Sequence, residues 1–285
     1  MKALVIARLT FQEAFQRRVI WGVAILSLIF VVLYVFGYRL FVDDFQSLEA
    51  QQGPGASSPI SNYEIAASAM VLLGLYTVNF LAGIMTIFAA VGAISSEIES
   101  GTLHAIVPKP IGRWEILLGK YLGFAGMLIV YIVLMVGSVV ATSRIVGNYM
   151  PPNVIQGTLL IILVSMILLS LTVFGSTLFS TVANGVVVFM LYGMAVTGGL
   201  VEQIGTGLNN DTMVNIGIAT SILVPSDSMW RLASYVVQPS LAISFAGPNP
   251  LGTTVPPSSF AVEYAIVYCL ALLGTAMLVF RRRDL

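Results

Sequence analysis

The charged residues of this chain are confined to the ends of long apolar stretches. All 13 acidic and 13 basic side chains lie between or at the ends of about six such stretches. A membrane hydrocarbon core is roughly 30 Å thick, so a helix needs about 20 apolar residues to cross it. With 58% hydrophobic and only 9% charged residues, the chain has too little polar surface for a soluble globule. The sequence therefore predicts an all-α polytopic membrane protein.

Six transmembrane helices are predicted, and they form a single domain that covers residues 1–285. We place the crossings at residues 20–38, 65–94, 121–142, 154–182, 185–201 and 260–280. The first stretch lacks the small-residue cleavage pattern of a signal peptide, so we expect it to remain as a helix.

The basic residues are distributed unequally between the two sides of the membrane, which predicts the orientation. Only Arg39, Arg144 and Arg231 fall on one side. The other ten of the 13 lie on the amino-terminal side: Lys2, Arg8, Arg17, Arg18, Lys109, Arg113, Lys120, Arg281, Arg282 and Arg283. Because cytoplasmic loops carry the excess of Lys and Arg, both termini are predicted to be cytoplasmic.

Ionisable groups are missing from the middle of every predicted crossing. Asn79 and Asn184 are the most polar side chains near a span, apart from Glu202 and Glu263 at span ends. Ion-coupled carriers need ionisable groups near the bilayer midplane, so coupling through an intramembrane carboxylate is disfavoured.

Catalytic and metal-binding patterns are also missing from the sequence. The lone Cys269 lies in an apolar helix, where a buried structural thiol is the expected role. His104 is the sole histidine, so one chain cannot assemble a histidine-based metal cluster. Near Gly119 and Lys120 the spacing differs from a P-loop and Tyr121 replaces the required Ser or Thr. We therefore expect no enzymatic activity, metal or cofactor in this chain.

The segment 95–120 lies between the second and third predicted crossings and has the pattern of a short surface helix. Gly101 can end the preceding helix, and Thr102 can cap a new one. Leu103, Ile106 and Val107 would give the new helix an apolar edge, and the prolines at 108 and 110 would stop it. The sequence predicts a short helix lying on the cytoplasmic surface.

At this segment the chain resembles the permeases of type-2 ABC transporters. Their pattern reads E-x-x-x-G-T-L, then P-x-x-R-x-E, then G-K. The matching residues here are Glu97, Gly101, Thr102, Leu103, Pro110, Arg113, Glu115, Gly119 and Lys120. The carboxyl end, residues 280–285, is also similar to the end common in that family.

The resemblance implies that the segment 95–120, the coupling segment, docks into a groove of a separate cytosolic ATPase. Residues 102–107 would enter the groove, Glu97 and Glu99 would flank it, and Arg113 would anchor the return to the membrane. The implied ATPase-coupling residues are Glu97, Glu99, Gly101, Thr102, Leu103, His104, Ile106, Val107, Pro110 and Arg113. ATP and Mg²⁺ would be bound by the partner ATPase.

The amino-terminal segment, residues 1–18, has the periodicity of an amphipathic helix. Apolar residues recur at intervals of three and four, while Lys2, Thr10, Gln12, Glu13 and Gln16 occupy much of the remaining surface. A helix in the lipid headgroup layer fits this pattern, and it resembles the connecting helix of type-2 permeases. A simple positively charged anchor is the other interpretation. The residues assigned to this interfacial helix are Leu4, Arg8, Phe11, Phe15, Arg17 and Arg18.

Two extracytoplasmic segments are predicted, 41–64 and 202–259. We expect the first to be a flexible loop, because residues 53–59 are rich in Gly, Pro and Ser. The second contains apolar pieces too short to span, which favours re-entrant or interfacial helices. Its residues 225–231 resemble a P-x-D-x-x-aromatic-Arg stretch in the branch related to the nitrous-oxide-reductase maturation permease.

These features predict a permease subunit in the cytoplasmic (inner) membrane of a prokaryote. By the resemblance it would pair with a second copy and a cytosolic ABC ATPase, with no nucleic acid partner. It would export or extract a substrate, or only transmit force to an extracytoplasmic accessory protein. The alternative is an ATP-independent channel or carrier, or a membrane scaffold. An amphipathic or lipid-linked cargo is slightly favoured by the apolar spans with their scattered Ser, Thr and Asn.

Overall fold

Helices make up nearly all of the computed structural model. It describes residues 2–16, 18–52, 59–99, 112–240, 253, 256–258 and 260–282, and no strand occurs among them. The ten helices of these residues are α1 (Lys2–Gln16), α2 (Arg18–Gln52), α3 (Pro59–Ala90), α4 (Ser95–Glu99), α5 (Arg113–Val146), α6 (Val154–Leu178), α7 (Thr181–Gly207), α8 (Asp211–Leu223), α9 (Ser226–Val237) and α10 (Ala261–Arg282).

The described helices form six segments that are long and apolar enough to cross a membrane, which confirms the predicted number of spans. Five of them are the single helices α2, α5, α6, α7 and α10, and the sixth is formed by α3 together with α4. Each contains most of the corresponding predicted crossing. The second reaches residue 97 because the apolar pattern continues through the short turn after α3.

Helices α3 and α6 form the centre of the bundle. Helix α3 packs against α2, α5 and α6, and α6 also contacts α7, α9 and α10. Two buried apolar clusters result. One lies around Leu75, Leu168 and Trp230, and the other around Ile94 and Leu117. In lipid, such packing depends on close approach and on hydrogen bonds between helices rather than on water exclusion. The hydroxyls of Ser27 on α2 and Tyr131 on α5, 2.6 Å apart, provide one such hydrogen bond.

Helix α1 packs along α5. Ala14 is 1% exposed, whereas Leu4 is 68% exposed. The structure corrects one residue of the predicted pattern: Thr10, assigned to the polar surface, is buried. The reason is Gly123 of α5, where the missing side chain lets Thr10 and the Ala7 carbonyl of α1 approach closely. The position of α1 in the headgroup layer stays a prediction.

The segment 41–64, predicted to be a flexible loop, is mainly helical. Helix α2 continues to residue 52 and α3 begins at residue 59, so only residues 53–58 fall outside the described part of this segment. Aromatic packing explains the difference. Phe41 stacks on Tyr63 with ring centroids 6.3 Å apart, and Phe45 meets the same ring edge-on at 5.2 Å.

Two short helices, α8 and α9, lie in the segment between the last two spans. The α7–α8 turn places Asn209 in the left-handed region with φ 53°, a conformation Asn tolerates. The Asn210 carboxamide oxygen then accepts hydrogen bonds from the backbone N–H groups of Thr212 and Met213 and caps α8. Both helices are too short to span a membrane, and their interfacial or re-entrant position stays a prediction.

Glycines allow α8 to fold back tightly along α7. A Cβ at Gly198 would lie 1.9 Å from Thr220 Oγ1, and one at Gly217 would lie 2.3 Å from Glu202 Cβ. By contrast, Gly193 and Gly126 have nothing within 4 Å of the corresponding position. Only some of the small residues in α5 and α7 therefore serve packing within this chain.

The contrast between Gly123 and Gly126 allows a matched stability test. At Gly123 an added Cβ would lie 2.7 Å from the Ala7 carbonyl oxygen, whereas Gly126 is open. Both substitutions by Ala gain about 1 kcal/mol of helix propensity, but overpacking at Gly123 costs about 1–3 kcal/mol. We expect Gly123→Ala to melt at a lower temperature than Gly126→Ala in detergent. Equal melting temperatures would contradict the α1–α5 packing.

Candidate coupling site

The helix that leads into the coupling segment is interrupted at residues 91–94, which we call the α3–α4 joint. Helix α3 ends at Ala90 and α4 begins at Ser95. The backbone N–H of Val91 still donates to Ile87 at 2.8 Å, and that of Ala93 donates to Ala90 at 2.9 Å. An ending helix leaves carbonyl groups without intrahelical donors, and in a buried position these groups need other partners.

Lys120 of α5 supplies a donor to one of these carbonyls. Its ammonium group donates to the Ala93 carbonyl at 2.6 Å and forms an ion pair with the Glu97 carboxylate of α4. The Lys120 side chain is 7% exposed and that of Glu97 is 21% exposed. One buried cation therefore links the joint, α4 and the first turns of α5.

Asn184 of α7 supplies a donor to the other carbonyl. Its amide nitrogen donates to the Val91 carbonyl at 2.8 Å and to the Thr172 carbonyl of α6 at 3.0 Å. Gly175 makes room for this side chain, since a Cβ there would lie 2.1 Å from Asn184 Oδ1. A further link joins the same elements, because the hydroxyls of Ser95 and Thr181 lie 2.9 Å apart.

On the far side of the coupling segment, α5 begins with a capped first turn. The Gly112 backbone N–H donates to Glu115 Oε2 at 3.0 Å. This bond satisfies one of the unpaired donors of a helix start and places a carboxylate at its positive end. Both ends of the coupling segment are thus held by defined polar contacts.

The residues predicted from sequence fall partly inside and partly outside the described chain. Glu97 lies in α4 and pairs with Lys120, so its carboxylate makes a contact within this chain. Glu99 ends α4 and Arg113 begins α5, but their side chains are not described. The remaining coupling residues lie outside the described residues: Gly101, Thr102, Leu103, His104, Ile106, Val107 and Pro110.

The residues assigned to the interfacial helix divide in the same way. Leu4, Arg8 and Arg18 are exposed and Phe11 is partly buried. The Phe15 side chain and Arg17 lie outside the described part.

Sequence reasoning missed the roles of Lys120 and Asn184. Lys120 was matched as part of the G-K pair without a role, although a lysine at the start of an apolar helix is a signal for a buried partner. Asn184 was noted only as a polar residue near a span. Neither spacing nor periodicity connects these two residues with residues 91–93, since they lie 27 and 93 positions from their carbonyl partners.

A second polar centre, the Arg231 cluster (Glu202, Asp227 and Arg231), lies where α7, α8 and α9 meet. Arg231 donates to both carboxylate oxygens of Glu202, at 2.7 and 2.9 Å, and to the Ser221 hydroxyl at 3.3 Å. Its Nε lies 3.0 Å from Asp227 Oδ2, one helical turn earlier in α9. The side chains of Arg231 and Asp227 are 8% and 9% exposed.

Burial changes the acid–base properties of this cluster. It raises the pKa of Asp227 to about 7, against the opposing effect of the Arg231 charge and with a smaller contribution from Glu202. Burial alone would lower the pKa of Arg231, but the hydrogen bonds to Glu202 and the charge of Asp227 hold it above its ordinary value. Sequence analysis had placed these charges outside the spans and assigned them no common role.

A cavity of about 460 Å³ opens beside the Arg231 cluster. Glu202, Arg231, Ser221 and Ser228 contribute polar atoms to its lining. The rest of the lining is mainly apolar: Ile218, Ile222, Pro225, Pro256, Pro257, Ser258, Phe260, Ala261 and Tyr264. A site with this mixture suits a molecule that has both a polar and an apolar part.

Comparison with protein families identifies the chain. The sequence model of the family described as ABC-2 family transporter protein matches residues 4–285. The chain belongs to the ABC-2 transporter family. A comparison with curated protein sequences finds no match. As an ABC-2 permease it is a multi-pass membrane protein and the transmembrane component of a transporter, a component that is generally not itself catalytic and typically pairs with an ATPase subunit.

The ion pair at the joint of this ABC-2 permease can be tested by removing its cation. Lys120→Met keeps most of the side-chain volume but leaves the Ala93 carbonyl and the Glu97 carboxylate without their donor. Hydrogen bonds to charged groups contribute about 1.5–3 kcal/mol, so we expect a loss of about 2 kcal/mol in unfolding free energy. Arg144→Met, which removes an exposed cation from the same helix, should change it by less than about 0.5 kcal/mol.

A double-mutant cycle would separate the pair from general damage. If Lys120 acts through Glu97, Lys120→Met should lower the unfolding free energy by less in a Glu97→Gln background than in the wild type. If the two changes in unfolding free energy simply add, the two residues stabilise the protein independently.

Proposed function

We propose that this permease is the membrane-spanning subunit of an ATP-driven exporter that works as a dimer with a separate cytosolic ATPase. The observation that carries the proposal is the set of polar contacts at the α3–α4 joint. These contacts attach the coupling segment to four other helices, namely α3, α5, α6 and α7. Family membership supports the ATPase partner, and the E-x-x-x-G-T-L pattern supports the docking position.

The joint supports a physical route for the ATPase stroke. Lys120 binds both the Ala93 carbonyl and Glu97, so a push on residues 100–111 would move α4 and the start of α5 together. Asn184 extends the connection to α6 and α7. A single displacement at the cytoplasmic surface would then reorient several spans as a unit, since packed helices move by rigid-body shifts rather than by continuous deformation.

A dimer follows from the chemistry of the partner. An ATPase that closes on two ATP molecules delivers its stroke to two permease subunits, and a closed two-fold arrangement requires the same surface on both. The second subunit would be another copy of this chain in the inner membrane of a prokaryote. The resemblance of residues 225–231 to the nitrous-oxide-reductase maturation branch stays a prediction.

The cavity beside the Arg231 cluster supports an amphipathic cargo. Its mixed lining of polar and mainly apolar residues suits a headgroup joined to an apolar chain better than an inorganic ion. The alternative within the same class is force transmission to an extracytoplasmic protein docked on residues 202–259. A channel, carrier or scaffold that works without ATP is the alternative from a different class.

Co-purification tests the ATPase partnership. We expect the tagged chain, isolated in mild detergent, to bring down a cytosolic ATPase in about equal amounts and to hydrolyse ATP. Leu103→Glu and Ile106→Glu should abolish co-purification, because a buried carboxylate in an apolar groove costs several kcal/mol. Leu208→Glu is the matched control: Leu208 is 68% exposed at the α7–α8 turn and should retain the ATPase. A pure permease without any ATPase would favour the ATP-independent alternative.

Cysteine labelling tests the proposed orientation. Cys269 is the single cysteine, so Cys269→Ser provides a clean background. In sealed right-side-out vesicles we expect an impermeant maleimide to label Leu208→Cys and to spare His104→Cys until the membrane is permeabilised. The opposite pattern would reverse the assignment made from the basic residues.

A further inference from the structure

A small chamber lies between α3, α7 and α9, next to the Arg231 cluster. It has a volume of about 10 Å³, which is the space of about one water molecule. Its walls come from Tyr76, Asn79 and Phe80 of α3, Tyr192 and Val196 of α7, and Ser226, Asp227 and Trp230 of α9. None of these residues belongs to the coupling site, so the chamber needs its own explanation.

Three buried oxygen atoms on the chamber walls lack hydrogen-bond partners in the described part of the chain. They are Asn79 Oδ1, Ser226 Oγ and Asp227 Oδ2. The three residues are 6%, 1% and 8% exposed. An unsatisfied buried polar group costs about 1–3 kcal/mol, so buried oxygens of three residues around one water-sized space favour a common hydrogen-bond partner at this position.

The neighbouring Arg231 cluster contains more acidic groups than basic groups. Glu202 and Asp227 bring two carboxylates against the single guanidinium of Arg231, and Arg231 directs both terminal nitrogens to Glu202. Arg231 Nε lies 3.0 Å from Asp227 Oδ2, yet neither atom makes a hydrogen bond among the described residues. With both acids ionised, the buried cluster would carry a net charge of −1, which is costly in a low dielectric.

The Asp227 carboxyl group packs closely against α7. It lies directly on the backbone of Gly199, where an added Cβ would be 1.7 Å from Oδ2. The titratable groups that act on it are Arg231 in its own helix and Glu202 in α7, and the phenols of Tyr76 and Tyr192 face it across the chamber. Of these groups only Arg231 is a cation.

We propose that Asp227 is a proton-binding site and that the chamber holds one water molecule bridging Asp227, Asn79 and Ser226. The proton removes the excess negative charge. It sits on the Asp227 oxygen that does not face Arg231, so that oxygen becomes a donor while Oδ2 stays beside Arg231 Nε. The water accepts this proton in a hydrogen bond and donates its own two hydrogens to Asn79 Oδ1 and Ser226 Oγ. The oxygens of Asn79 and Ser226 are then satisfied, and α9 is tied to α3 and α7.

The raised pKa of Asp227, about 7, supports the same conclusion and sets the sign of the pH effect. Because the folded pKa lies above the unfolded value of about 3.9, the stabilising contribution is complete below about pH 4 and is lost as the pH rises through about 7. The site goes beyond the proposed exporter function, since it requires neither ATP nor the ATPase.

Infrared spectroscopy of the full chain in lipid nanodiscs tests the proton directly. Spectra of the wild type minus Asp227→Asn should contain the carbonyl stretching band of a protonated carboxylic acid at about pH 5, and the band should disappear as the pH rises through about 7. Asp211→Asn is the control, because Asp211 is exposed at the start of α8. A difference spectrum without that band at any pH would overturn the proposal.

A second variant keeps the test independent of whether Asp227→Asn folds. Glu202→Gln removes the competing carboxylate, so Arg231 can compensate Asp227 and the carboxylate form becomes easier to reach. We expect the midpoint of the carboxylic acid band to move to lower pH by about 1 unit or more. An unchanged or higher midpoint would contradict the charge balance on which the proposal rests.

Thermal unfolding across the same pH range gives an independent measurement. The melting temperatures of the wild type and of Asp211→Asn should fall as the pH rises through about 7. The melting temperature of Asp227→Asn should not show this fall. The same pH dependence in Asp227→Asn as in the wild type would assign it to another group and overturn the proposal.

Discussion

Lys120 supplies a hydrogen-bond donor to a backbone carbonyl that the break between α3 and α4 leaves inside an apolar bundle. When α3 ends at residue 90, its last carbonyls need donors, and lipid or packed side chains offer none. Lys120 satisfies the Ala93 carbonyl and Asn184 satisfies the Val91 carbonyl. The Glu97 carboxylate compensates the charge that Lys120 brings into a buried position. The start of α5 and the α6–α7 pair are therefore positioned by the same break that releases the coupling segment.

The other polar centre has an incomplete charge balance. Among the described residues, Lys120 at the joint pairs with the Glu97 carboxylate, whereas Arg231 contacts two carboxylates, those of Glu202 and Asp227. An unbalanced cluster needs an additional positive charge, which makes its stability depend on proton concentration. Both centres contact α7, and the chamber beside the Arg231 cluster is lined by α3, so a movement at the joint and the proposed protonation of Asp227 would act on the same helices.

Much of the architecture was predictable because lipid imposes simple rules on sequence. A crossing must be long and apolar, which located all six candidate spans. Two expectations failed for the same reason. The segment 41–64 is mostly helical because Phe41, Phe45 and Tyr63 pack together, and Thr10 is buried because Gly123 admits it. The type of a residue indicates whether it prefers water or an apolar environment, but it does not identify the packing partner that buries it or orders it.

Sequence alone determined the class of the protein, the number of candidate spans and the family resemblance. These properties depend on local composition and on motifs whose residues are close in the chain. Tertiary structure decided the partners of the buried polar groups, because those contacts join distant positions. Lys120 reaches residue 93, Asn184 reaches residues 91 and 172, and Arg231 reaches Glu202. A lone charge in an apolar sequence shows that a partner is needed, but only the packing of helices determines which one it meets.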